Sequence, residues 1–299
     1  MATQILLDVT SSYSILSAVV VHKKELTILN IQIGVIEDSL NQALSKNIPY
    51  RSKLLSCQVA AIIGFALWCI IFDASWITVR IIISGPLILW YINVIIISIL
   101  IIQIYLYSTC IGYLFRRLNH MMQWQMSKKT YVLKGGLMFF LKAHEEISEL
   151  IFLVNEIFGF KIFLLISNII LNIIVCADRL INFSVKQIKI DKDVLIIISS
   201  SLFMILFVAF GAILSISCDK TASEARRTSL ISYKILMNYP SCPRTTREKI
   251  IKEELILLAE HISRRKVHFS AGIFTVDYSM LFMIFGSIAT YLVIILQFK

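Results

Sequence analysis

Long stretches of the chain carry no Asp, Glu, Lys or Arg: Leu54 to Phe72, Ile81 to Phe115, Ile162 to Ala177, Val194 to Cys218 and Tyr278 to Phe298. A helix needs about 20 apolar residues to cross the hydrocarbon core of a bilayer, so the pattern predicts five spans. The third run reaches that length as Ile157 to Ala177 if Lys161 sits near the start of the helix and snorkels its ammonium to the interface. The second run is too long. As a helix, its 35 residues extend about 52 Å at 1.5 Å per residue, against a core of about 30 Å. It must tilt, bend near Pro86, or project out of the membrane. Residues 4 to 21 read as the latter part of a further membrane helix. Asp8, the lack of a basic n-region and the lack of a small-x-small cleavage site argue against a signal peptide there.

The polar segments carry a helical pattern of their own. Residues 244 to 268 open with Thr245-x-x-Glu248, a capping-box signature, and place Ile250, Ile251, Leu255, Leu258 and Ile262 at helical spacing. Residues 219 to 235 continue the preceding apolar run without Pro or Gly. The fold class is therefore all-α: a polytopic helical membrane protein with five clear spans, a partial one at the N-terminus, and helical extensions beyond the membrane whose apolar stripes need partners. No repeat, low-complexity tract or soluble domain boundary interrupts residues 1–299, which read as one domain.

Charge sets the orientation. Lys and Arg number 22 in segments 22–53, 116–150 and 219–268, and six on the alternate side. The positive-inside rule makes the first set cytoplasmic and the C-terminus extracellular. The sequon Asn182-Phe183-Ser184 then falls in an outer loop, where Asn182 is a glycosylation candidate. The net charge of +10 and the 58% hydrophobic content fit a membrane protein with basic loops, not a nucleic-acid-binding domain. Five of the six cysteines lie in or beside apolar runs, with no disulfide framework or zinc spacing.

Little in the chain suggests catalysis. His144-Glu145-Glu146-Ile147-Ser148 begins like a zinc-protease helix but has Ser148 where the second histidine belongs. Nucleophile elbows, P-loops and dinucleotide fingerprints are missing, so no enzyme activity, cofactor or metal is implied. The middle of each span also lacks the carboxylates that a proton-coupled transporter usually needs. Trp68, Trp76, Trp90 and Tyr91 lie towards the outer ends of the first two spans. They suit an interfacial belt or core packing, or a mostly apolar ligand pocket between helix ends.

The last span closes on Thr290-Tyr291-Leu292-Val293-Ile294-Ile295-Leu296-Gln297-Phe298. This resembles the signature of the insect gustatory receptor family: Thr-Tyr, five hydrophobic residues, then Gln-Phe. The lead-in Phe269-Ser270-Ala271-Gly272-Ile273-Phe274 with Asp277-Tyr278 is similar to that family's final segment. The resemblance implies seven membrane helices, of which this chain is expected to lack the first and part of the second. It further implies a homo- or hetero-tetrameric, nonselective cation channel in the plasma membrane of sensory neurons, surrounded by lipid and gated by a small-molecule tastant, with no nucleic acid as partner. Thr290, Tyr291 and Ile294 would then belong to the pore helix, and Gln297 and Phe298 to its outer gate. A non-channel membrane transporter, or a receptor fragment that is nonfunctional or works only beside a partner subunit, is the alternative; ligand-evoked current distinguishes the channel from these.

Overall fold

The computed structural model describes residues 8–13, 16–17, 22–43, 59–60, 62–64, 66–71, 85–127, 136–185, 193–242 and 244–297. Six helices organise most of them: α1 Lys23–Ala43, α2 Gly85–Ser127, α3 Gly136–Val185, α4 Asp193–Met237, α5 Thr246–Arg264 and α6 Tyr278–Gln297. The expected all-α architecture is borne out; among the described residues, extended pairing is confined to an isolated bridge between Ser270 and Thr275.

The long helices are continuous. At 43, 50 and 45 residues, α2, α3 and α4 reach about 64, 75 and 68 Å, more than twice the hydrocarbon thickness. Three described helices are long and apolar enough to cross a membrane, over Leu89–Trp124, Leu137–Ile181 and Ile197–Met237. Shorter apolar helices occupy Ile62–Ile71 and Tyr278–Ile294. The second apolar run does not end its helix at the first basic residues: α2 runs on through Arg116 and Arg117 to Ser127. Pro86 lies in its first turn, where a missing N–H costs no helical bond, so it starts the helix and does not bend it. Residues 136–150, counted above as part of a polar connection, form the first four turns of α3. At its other end α3 continues through Asp178 and Arg179, with no Pro or Gly to stop it. This places Asn182 in the last turn of a helix instead of a loop.

Two small residues set how closely the bundle packs. α2 and α4 form the most extensive helix pair, and a Cβ on Gly112 of α2 would lie 2.7 Å from the Thr221 hydroxyl of α4. That hydroxyl donates to the Ser108 carbonyl at 2.7 Å, linking the two helices. Close approach at a small residue with a hydroxyl across the crossing is the usual means of holding membrane helices together, because lipid supplies no hydrophobic drive between them. Phe158, Phe207 and Phe210 fill the centre, each at most 1% exposed.

Two expectations need correction. Lys161 does not snorkel: it is buried on the inward face of α3, its ammonium 5.0 Å from the Phe158 ring centroid. A cation over an aromatic face recovers part of its lost hydration without reaching the interface. In α5, the stripe that packs is Ile251, Leu255, Leu258 and Ile262, whereas Ile250 is exposed, one helical position off that stripe. The capping box is present as expected: Thr245 accepts from the Glu248 amide at 3.2 Å, and the Glu248 carboxylate accepts from the Thr245 amide at 3.3 Å.

α1 was not foreseen as a helix. It buries Leu29, Ile36 and Leu40, with Leu26 and Ile33 half-covered, in a 3-4 spaced stripe against α2 and α3.

Candidate functional site

The C-terminal helix and its mounting hold the residues singled out above. Between α5 and α6 the chain makes a tight hairpin. Ala271 N–H donates to the Phe274 carbonyl and Val276 N–H to the Phe269 carbonyl, both at 2.9 Å. Gly272 turns it at φ 85°, a conformation side-chain-bearing residues rarely adopt. Phe269, Ala271 and Val276 anchor it as buried apolar groups.

Asp277 then starts α6. One carboxylate oxygen accepts from the backbone N–H groups of Ser279 at 2.9 Å and Met280 at 3.3 Å; the other accepts from the Thr275 hydroxyl at 3.0 Å. Partial burial works against ionisation, but the bonds from Ser279, Thr275 and Met280 outweigh it and hold the carboxyl below its ordinary range. This side chain is an N-cap, supplying acceptors to otherwise orphaned helix donors.

α6 is mostly apolar yet covered on one stripe only. Met280, Ile284 and Ile288 are buried and Leu292 half-buried, at four-residue spacing, against α3 and α4. Phe282 is 78% exposed, and Met283, Phe285 and Val293 are also uncovered. At 3.6 residues per turn, Met283, Gly286, Thr290, Ile294 and Gln297 fall within a sector of about 80°, roughly opposite the buried stripe. All five are exposed. A Cβ at Gly286 would meet nothing within 4 Å. The Thr290 hydroxyl bonds back to the Gly286 carbonyl at 2.9 Å, which keeps the face polar at that level without leaving an unmet donor. Tyr291, 42% exposed, lies off this face, near the edge of the buried stripe. Phe298 lies outside the described residues.

The aromatic candidates divide. Trp90 and Tyr91 pack edge to face at 5.4 Å, and Trp90 meets Phe203 of α4 at 4.6 Å. Trp68 is exposed on the Ile62–Ile71 helix, and Trp76 lies outside the described residues. One turn from Trp90, buried Asn93 accepts from the Ser11 hydroxyl at 2.6 Å and donates to the Asp8 carboxylate. Nearby in sequence, Thr10 pairs with Asn168 of α3. Asn93 and Asn168 were passed over in the sequence because a lone amide in an apolar run does not disturb its periodicity.

Continuous apolar helices longer than a bilayer, with a helix mounted separately at the C-terminus, define a polytopic helical membrane protein. The model of the 7tm chemosensory receptor family matches residues 1–299, and the chain belongs to that family, one of receptors and not of enzymes. It is 26% identical over 169 residues to gustatory receptor 2a of Drosophila melanogaster, covering 52% of this chain and 39% of that receptor. It is 37% identical over 101 residues to gustatory and pheromone receptor 32a of the same species, covering 32% of this chain and 19% of that receptor. The matches therefore span less than half the length of these curated relatives. In fold, the chain is similar to the insect olfactory receptor OR5 from Machilis hrabei, at a TM-score of 0.64 and 13% identity over 99% of this chain and 80% of that one. A structure of the same receptor in complex with eugenol gives a TM-score of 0.54 at 13% identity, over 100% of this chain and 88% of that one. The resemblance to insect gustatory receptors is thus borne out, and the protein is a multi-pass membrane protein of the chemosensory receptor family.

Proposed function

We propose that this chemoreceptor is a subunit of a tastant-gated, nonselective cation channel in the plasma membrane of sensory neurons. Four copies, alike or mixed, would place α6 around a central pore within the surrounding lipid. The observation that carries this reading is the uncovered face of α6, where Thr290, Ile294 and Gln297 stand opposite the stripe that packs against the subunit. An apolar ring can close a pore by dewetting, and a polar side chain turned inward readmits water. Ile294 and Gln297, one turn apart, supply the two kinds of group.

The charge asymmetry supports a cytoplasmic α5 end and an extracellular C-terminus. Asn182 would then lie at the outer end of α3. At the α5 end, a groove of about 360 Å³ between α3 and α5, walled by Leu137, Met138, Leu141, Leu257 and Arg264, suits contact between subunits. Trp68, Trp90 and Tyr91 are the described aromatic candidates for ligand recognition, with the Asn93 amide one turn from Trp90. A ligand would open the pore through its greater affinity for the open state.

The test is whole-cell current under a panel of sucrose, quinine, caffeine and eugenol, in cells expressing the chain or its Gln297→Ala variant. The reading expects evoked cation current, with gating or ion selectivity altered in the variant at unchanged surface expression. Identical currents from the two would refute the role given to Gln297.

A further inference from the structure

One side of α3 carries a row of contacts to the chain that joins α5 to α6. Arg265, just past the end of α5, pairs with Glu145 at 3.1 Å and Glu149 at 3.8 Å. Its guanidinium also lies 5.6 Å from the Phe152 ring centroid. One turn further along, the Asn155 amide bonds in both directions: its NH₂ donates to the His268 carbonyl at 3.0 Å, and its oxygen accepts from the Ser270 N–H at 2.9 Å. Beyond it, a Cβ on Gly159 would stand 3.2 Å from the Ser270 carbonyl oxygen, close enough to push the hairpin away. Positions 145, 149, 152, 155 and 159 share one helical face. The connection is therefore laid along α3 over about four turns before α6 begins.

The hairpin that leads into α6 is thus held to α3 before the helix begins, with Phe269, Val276 and Met280 each at most 2% exposed. Along the helix itself one stripe packs and the remainder is uncovered, so the hairpin is the attachment that adds to that stripe.

We infer that Asn155 and Gly159 are positioning residues for the pore helix: by docking the α5–α6 hairpin on α3, they make the base of α6 move with α3. The inference rests on the channel reading. An amide is suited to this task, because a single planar side chain satisfies a backbone donor and a backbone acceptor two residues apart. Alanine at 155 removes both bonds. Aspartate keeps the acceptor for Ser270 but sets a carboxylate oxygen against the His268 carbonyl, so it should disturb the docking at least as much as alanine. Alanine at 159 leaves the bonds formed but displaces the hairpin by a few tenths of an ångström, so it tests position separately from attachment.

The experiment expresses the full chain as wild type, Asn155→Ala, Asn155→Asp and Gly159→Ala, and reads surface expression together with current under the panel named above. We expect surface expression within about twofold of wild type and half-activating concentrations shifted by about fivefold or more in Asn155→Ala. Asn155→Asp should shift at least as far, and Gly159→Ala should shift without loss of expression. A conducting wild type whose variants gate indistinguishably from it overturns this inference alone. A wild type at the surface that never conducts, alone or beside a co-expressed subunit of the same family, overturns the channel reading, and docking is then judged by hydrogen exchange on the purified chain. There, slow exchange at the amides of Ser270, Ala271 and Val276, lost at Ser270 in Asn155→Ala, upholds the docking. Exchange at the rate of exposed chain in the wild type overturns it, and the same measurement decides if a variant is retained inside the cell.

Discussion

Replacing Gly112 by alanine is expected to destabilise the purified receptor by about 1–3 kcal/mol, the usual cost of forcing a methyl group into a packed contact. The added carbon would lie 2.7 Å from the Thr221 hydroxyl oxygen and 3.5 Å from the Thr221 Cα and Cβ. Either the α2–α4 crossing opens or Thr221 turns away and gives up its bond to the Ser108 carbonyl. The cost therefore falls on the pair of helices around which the rest of the bundle is arranged. Removing the hydroxyl should relieve most of it. In the double variant Gly112→Ala with Thr221→Ala, the nearest remaining contacts are ordinary van der Waals ones. Melting temperatures in detergent for the two singles and the double form a double-mutant cycle. The close-crossing account expects a favourable coupling between the two sites; strictly additive losses would show that Gly112 is not held against Thr221.

Ile294→Ser is expected to raise ligand-independent current by roughly tenfold, the factor that corresponds to a change of about 1–2 kcal/mol in the cost of wetting one apolar position. Ile294 is 45% exposed on the side of α6 away from its packing stripe, so the substitution removes little from the subunit's own core. Surface expression should therefore stay near wild type while the resting current rises. Lower expression with a resting current that scales with it would instead place Ile294 in a structural contact.

Much of the fold was legible because apolar runs report membrane helices directly, and because the Thr245–Glu248 capping box marks a helix start with two reciprocal bonds. The beginnings of α3 and the whole of α1 were missed for one physical reason. Lys142, Glu145, Glu146 and Glu149 break the apolar run without breaking the helix, since they occupy the side that solvent or Arg265 can satisfy. In α1 the charged ends and mixed composition hid a stripe that becomes visible only once α2 and α3 cover it. Lys161 was misplaced because snorkelling and burial over an aromatic ring are both open to a lysine four residues into a span; which occurs depends on the face it occupies.

The site was legible in a different proportion. The run Thr290 to Phe298 announced the final helix, but sequence spacing could not say which of its residues face the subunit. Burial of Met280, Ile284 and Ile288 settles this, and the positions opposite follow. Asn155 and Gly159 were illegible from the start: their partner Ser270 lies more than a hundred residues away, and a single amide or glycine in a helix has no spacing signature.

The central claim, that the uncovered face of α6 lines a pore, is tested most directly by cysteine substitution along that helix in cells carrying ligand-evoked current, with a charged methanethiosulfonate reagent applied in the open state. The account predicts that cysteines at Met283, Gly286, Thr290, Ile294 and Gln297 are modified and the current changed, while cysteines at Ile284 and Ile288 are protected. Equal modification of both sets, or modification of the buried stripe alone, would contradict it.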